Sequence, residues 1–367
     1  MARNAATGFR QSSVETLAGR LAICQTCEKF DGFHCTECGC NCNGNANFFN
    51  KLALASERCP LGKWEAGEIA PPPRLTVGMA CYRDFDGAYF TVRSLCRHHP
   101  EIIQRIEILV VDNCPELPER PPGYQGVHTA SERIRDLMGR IPGGRYIPFG
   151  DVVGTSAPRD LVFREARGDV VICIDSHVLL DPLALSKTVE WLDANPDFHG
   201  LFHGPMLMDN DDPVTHMEPI WRDRMYGTWA TAGDFDPSGP PRDIPVHGLG
   251  LFGCRKADWL GFNPGFREFG GEEGYIQEKY RQAGRQVLLF PWLQWSHRFA
   301  DSAASFPVSP RARIRNYVIG WAELGLDLDP IREHFFGGPS PMFHPHEWNE
   351  IVLEALELAP ELLEVVA

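Results

Sequence analysis

The chain has 367 residues, 43% hydrophobic and 23% charged, with a formal charge of −14. This size and balance predict one large soluble domain with a small appendage. The acidic balance argues against a broad basic face for duplex DNA, and no apolar run of about 20 residues is present to cross a membrane.

In chain order, Met1 to Gly19 has no apolar signal-peptide centre, so a cytoplasmic location is expected. Val14, Leu17, Leu21 and Ala22 stand at near-helical spacing. Seven of the twelve cysteines then follow between positions 24 and 59: Cys24, Cys27, Cys35, Cys38, Cys40, Cys42 and Cys59. The other five are scattered in mostly apolar surroundings. Such clustering, with a reduced intracellular setting expected, predicts a metal module rather than a disulfide framework. Thiolates around zinc replace a core that so short a segment cannot build. The expected ligands of one structural Zn2+ are Cys24, Cys27 and Cys59 with one of Cys35, Cys38 or Cys40; a two-ion cluster sharing thiolates is the other arrangement. Ala70-Pro71-Pro72-Pro73 reads as a stiff spacer. Residues 1–69 are therefore taken as a helix and cysteine module, 70–305 as the main domain and 306–367 as a helical extension.

Beyond the spacer, apolar strands alternate with helical patterns. Leu75–Cys81, Ile106–Val111 and Val170–Ile174 read as buried strands, and Tyr89–His98, Asp160–Ala166 and Leu183–Asn195 as helices. This alternation predicts an α/β fold built on an open, mostly parallel sheet, with ligands bound beyond the carboxyl ends of the strands. Asp112 and Asp175 stand at such ends. The stretch from Asp209 to Asp243 lacks periodicity and is expected to be a long loop anchored by Trp221, Tyr226 and Trp229. His247–Phe252 reads as a small-residue strand, roughly Glu272–Ala283 as a helix and Val287–Phe290 as a strand. Ile314, Val318, Trp321 and Leu324 form a helical stripe. Arg311, Arg313 and Arg315 are a candidate for a local basic groove.

Asp175-Ser176-His177 directly follows a strand, and strand periodicity puts both ligating side chains on one side. Carboxylate oxygen with imidazole suits Mn2+. By itself the triplet is equally well a polar strand end. The order of further motifs is more specific: Gly248-Leu249-Gly250-Leu251-Phe252, then Phe269-Gly270-Gly271-Glu272-Glu273, then Ser296-His297-Arg298-Phe299. Together these resemble the polypeptide N-acetylgalactosaminyltransferases and related GT-A fold glycosyltransferases, over roughly Leu75 to Phe299. Phe269 replaces the family's Trp, and Glu273 replaces its Asn.

The resemblance implies a doubly wound mixed sheet and a metal-dependent transfer from a UDP-sugar. It implies that Asp175, His177 and His297 hold Mn2+ or Mg2+. It places donor contacts at Ala80, Tyr82, Asp112, Arg159 and Asp175. Glu272 and Glu273 are the catalytic candidates, in competition with simple stabilisation of the helix start. Family likeness favours retention of configuration, while the paired glutamates leave inversion open. Trp221, Trp229 and His247 are candidates for the acceptor pocket, aromatic core packing being the plain alternative. The cysteine segment, ending Cys59-Pro60-Leu61-Gly62-Lys63-Trp64, looks like short ribbons of phage-encoded proteins. That likeness suggests a bacterial or phage-infected cell and a hydroxymethylated DNA base as acceptor. A protein or glycan hydroxyl, or an inactive zinc-ribbon binding protein, are the alternatives. A nucleotidyltransferase is disfavoured, since Met79-Ala80-Cys81-Tyr82 has no glycine-rich phosphate loop.

Overall fold

The computed structural model describes residues 12–363 except 45–49, 68–72, 122–123, 142, 224, 299–305, 307 and 338–340. Most of the expected proline spacer, and Phe299 of the late motif, lie outside the described residues.

The N-terminal segment builds its own small core. Helix α1 (Val14–Gln25) starts at Ser13, whose side chain accepts from the Thr16 N–H. Leu17, Cys24, Cys42, Leu52, Ala53 and Trp64 form a buried cluster. Buried Arg20 ties it together, donating at 2.9 Å to the carbonyls of Leu52 and Leu54 and lying 4.6 Å from the Trp64 ring centre.

The main domain centres on strands β1 (Leu75–Cys81), β2 (Ile106–Asp112), β3 (Gly144–Pro148) and β4 (Val170–Asp175). β2 and β4 flank β1 in parallel, and β3 adds to β2 in parallel. On the other side of β4 come antiparallel β12 (Leu251–Arg255), then β6 (Leu201–His203), β13 (Val287–Leu289) and β11 (Arg242–Asp243). The eight strands thus make the mixed α/β sheet expected. Burial alternates with the strand period: Val77, Ile108 and Ile172 join the core on one face, and Leu109, Val111 and Val171 the core on the other.

The first face packs α2 (Phe85–His98), α3 (Ala130–Met138) and α5 (Ala184–Ala194). The second packs α4 (Ser156–Glu165), α6 (Glu272–Gln282), α7 (Pro310–Glu323), α8 (Asp329–Phe336) and α9 (Glu347–Leu358). Ile314, Ile331, Phe335 and Ile351 of the last three helices share one buried cluster with Val171 and Phe252 of the sheet. The C-terminal helices therefore close the second face of the main core.

A second sheet, in the order β5-β14-β7-β8, combines Val178–Leu180, Trp295–His297, Met206–Leu207 and Pro213–Val214. The segment expected to be a loop instead holds a hairpin of β9 (His216–Arg222) and β10 (Met225–Ala230). Its pairing shifts between Tyr226 and Thr228, and much of it is exposed, so the alternation of a one-sided strand is blurred. The expected strand at His247 begins only at Leu251. Just before it, Trp229 and Trp295 press on Gly248 and Gly250, where an added Cβ would meet their rings at 2.5 and 2.6 Å.

Candidate active site and metal centre

The metal candidates meet because of strand register. β4 delivers Asp175 at its carboxyl end, opposite Ala80 of β1. The chain turns through Ser176 and His177 into β5, and β14 pairs antiparallel with β5 so that His297 lies opposite Val178. The Arg298 N–H then donates to the His177 carbonyl at 3.1 Å, closing the arrangement. His177 Nε2 and His297 Nε2 are 3.2 Å apart, with the rings 88° to each other, and Asp175 Oδ2 is 3.6 Å from His297 Nε2. Such separations match bonds of about 2.1 Å to one cation, subtending angles of roughly 100° and 120°. Among the described residues this is the one group of three or more His, Cys, Asp and Glu with ligand atoms all within 4.8 Å of one another. One oxygen and two imidazole nitrogens fit Mn2+.

The neighbours prepare these ligands. Burial opposes ionisation of Asp175, but Arg159 and the two imidazoles outweigh it and hold the carboxyl well below its ordinary range. Asp84, which the sequence reading missed, stands 3.1 Å from His177 Nδ1. It also accepts from Ser176 Oγ at 3.1 Å and from Arg298 at 3.3 Å. A carboxylate on Nδ1 keeps the proton there and leaves Nε2 free for a cation. The sequence offered only an acidic N-cap before α2, where Asp84 accepts from the Gly87 N–H at 2.9 Å.

Arg159 is buried, and its guanidinium bridges Asp175 at 2.8 Å and Glu272 at 3.1 Å. It thereby links the metal ligand to the start of α6. Glu272 is fully buried; its Oε1 also accepts from Thr155 Oγ1, while its Oε2 has no partner among the described residues. Burial and the adjacent Glu272 raise the Glu273 carboxyl well above the ordinary range. Gly270 and Gly271 have φ of 94° and 96°. An added Cβ would stand 2.6 Å from Arg313 Nε and 2.7 Å from Asn316 Cβ respectively, so their close approach is to α7.

Of the residues expected to contact the donor, Asp112 is buried, accepting from the Cys114 N–H at 3.0 Å and from Tyr146 Oη at 2.7 Å. Ala80 and Tyr82 lie at the end of β1, with the Tyr82 ring edge-on to Phe306 at 4.9 Å. Of the residues expected at the acceptor pocket, Trp221 sits among Tyr226, Tyr317, Trp321 and Phe335. Trp229 is 43% exposed and contacts His247 edge-on. His247 is fully buried and stacked on His203, and burial pushes its pKa down to about 4, so it is neutral.

In the cysteine module, Cys24, Cys27, Cys35 and Cys59 line one cavity of about 20 Å³ with Trp64 and Lys63. None of the twelve cysteines is in a disulfide. Cys27 Sγ accepts from Lys63 Nζ at 3.1 Å, which lowers the pKa of its thiol.

The mixed sheet, with an Asp-x-His at the carboxyl end of central strand β4, is that of the GT-A fold. Residues 76–233 match Glycosyl transferase family 2, and the chain carries a glycosyltransferase domain. The fold is similar to that of GalNAc-T7, solved with UDP, GalNAc and Mn2+. The TM-score is 0.55 and the identity 15%, covering 77% of this chain and 55% of that one. The chain thus spans about half the length of that protein. Residues 1–349 of TarS from S. aureus, solved with UDP-GlcNAc, match at a TM-score of 0.46 and 12% identity, covering 78% and 73% of the two chains. The mannosyltransferase PcManGT from Pyrobaculum calidifontis, solved with GDP-Man and Mn2+, matches at 0.43 and 16%, covering 80% and 75%. No curated protein matches the chain. Among the described residues no helix is long and apolar enough to cross a membrane.

Proposed function

We propose that the chain is a metal-dependent enzyme that moves a sugar from a UDP-sugar to a hydroxyl acceptor. The observation that carries this reading is the convergence of Asp175, His177 and His297 beyond β4. A divalent cation held there, Mn2+ or Mg2+, would neutralise the diphosphate leaving group. Asp175 and the two Nε2 atoms hold it, Asp84 orients His177, and Arg159 keeps Asp175 ionised. Ala80, Tyr82 and Asp112 border the place for the nucleoside, and Trp229 that for the acceptor.

Glu273 serves as general base for the acceptor hydroxyl. The resemblance pointed to retention; a carboxyl with a raised pKa, where those relatives have Asn, suits proton abstraction and inversion instead. Glu272 Oε2, buried and without a partner among the described residues, is free to accept from a sugar hydroxyl. The acceptor proposed is a hydroxymethylated base in DNA. In the N-terminal module, one structural Zn2+ is assigned to Cys24, Cys27, Cys35 and Cys59, the four cysteines that line one cavity; their sulfurs, not gathered within 4.8 Å of one another, would draw together on binding.

The test is transfer of label from a panel of UDP-sugars to hydroxymethylated and unmodified DNA, with Mn2+ and with EDTA. Label on hydroxymethylated DNA alone, abolished by EDTA, is the expected result. Transfer to protein or glycan with none to DNA removes the acceptor assignment. EDTA-insensitive transfer removes the metal role.

A further inference from the structure

Beside the metal centre lies a cleft of about 580 Å³, large enough for a small ligand or part of a polymer. His177 and Arg298 form one border, so its contents would adjoin the cation. The opposite wall is a face of α2. Phe90, Arg93, Ser94, Arg97 and His98 recur at i, i+3, i+4, i+7 and i+8, the spacing of one helical stripe, and all line the cleft.

The chemistry of that stripe is unusual for a protein with a formal charge of −14. Arg93, Arg97 and His98 are exposed, and among the described residues neither arginine has a carboxylate within 4.0 Å. The arginines singled out from sequence differ. Arg311 is paired with Glu347, Glu350 and Glu354, and Arg315 with Glu268 and Glu354. Their charge is spent within the fold. The available basic groove is on α2. Phe90, 62% exposed, and Leu179, 50% exposed, line the same cleft.

We propose that this cleft binds a single strand of nucleic acid, with phosphates on Arg93 and Arg97 and a base on the Phe90 ring. A polyanion answers the unspent arginines, and a flat base answers a solvent-facing aromatic ring. An anionic glycan or a lipid surface supplies the charge without the stacking partner. The small extent of the basic surface favours a strand over a duplex. This inference rests on the glycosyltransferase reading of the adjoining site, to which it adds the strandedness of the acceptor and the surface that it follows.

The experiment is fluorescence anisotropy of a labelled oligodeoxynucleotide titrated with the full chain at several salt concentrations. For an Arg93→Glu/Arg97→Glu variant with an unchanged melting curve, we expect at least ~10-fold weaker binding and a salt slope shallower by about 1.4. Phe90→Ala is expected to weaken binding by roughly 5- to 100-fold while keeping the salt slope. Binding unchanged in both variants overturns the proposal, as does stronger binding to dextran sulfate or to anionic vesicles than to the oligonucleotide. Mn2+-dependent UDP binding by the unaltered protein is measured in parallel. UDP binding without oligonucleotide binding contradicts only the cleft assignment; oligonucleotide binding without UDP binding contradicts only the donor reading.

Discussion

At Asp84 one carboxylate caps α2 through the Gly87 N–H and steadies His177 through Nδ1. The two roles separate on substitution. Serine retains a capping oxygen but is too short to reach the imidazole. Asp84→Ser should therefore leave the melting temperature nearly unchanged and weaken Mn2+ binding by about 10- to 100-fold, read by calorimetry. Unaltered Mn2+ affinity would show that Asp84 serves the helix alone. As the proposed general base, Glu273 should set the pH dependence. Its carboxyl is raised by burial and by Glu272, so it is protonated and unable to accept a proton until the pH climbs past that raised value. Turnover should rise with pH along a limb lying above the ordinary glutamate value of about 4.3, and Glu273→Gln should lose both the limb and most of the activity. A limb at the ordinary carboxylate position would refute the assignment.

At the scale of elements, the central strands β1, β2 and β4 were legible because burial on both faces makes them largely apolar runs, as in Val170–Ile174, whereas the part-buried β3 and the short β6 and β11 were not. Asp175 and His177 were legible for the same reason, standing where such a run stops. Asp84 was not, since its contact with His177 spans 93 positions and leaves no local pattern. The β9–β10 hairpin escaped because its shifted pairing breaks the alternation. Helix α3 escaped because Ala130–Met138 is largely polar along most of its surface. The glycine pair before α6 was legible as a special backbone, but its neighbour was not. Gly271 sits at φ 96° and abuts Asn316, whose Nδ2 also donates to the Gly270 carbonyl at 2.8 Å. Gly271→Ala should cost about 1–3 kcal/mol from backbone strain, measured by urea denaturation, and should lower turnover by shifting Glu272. A variant as stable and active as the parent would contradict this account of the turn.

For the whole molecule, the cluster around Trp64 is separate from the two cores that sandwich the main sheet. A metal holding Cys24, Cys27, Cys35 and Cys59 would therefore support that module chiefly. Stripping zinc with a chelator should accelerate amide exchange across residues 12–67 and leave 75–298 protected. Equal loss of protection in both regions, or a purified protein without zinc, would contradict the thiolate site.

The proposed transfer chemistry rests on one small cluster at the end of β4. The most direct measurement is Mn2+ binding in the presence of UDP, followed by electron paramagnetic resonance on the parent and on an Asp175→Ala/His177→Ala variant. The parent should bind one Mn2+ per chain with altered signal on adding UDP, and the variant should lose that site. A variant that binds Mn2+ and UDP as the parent does would contradict the account.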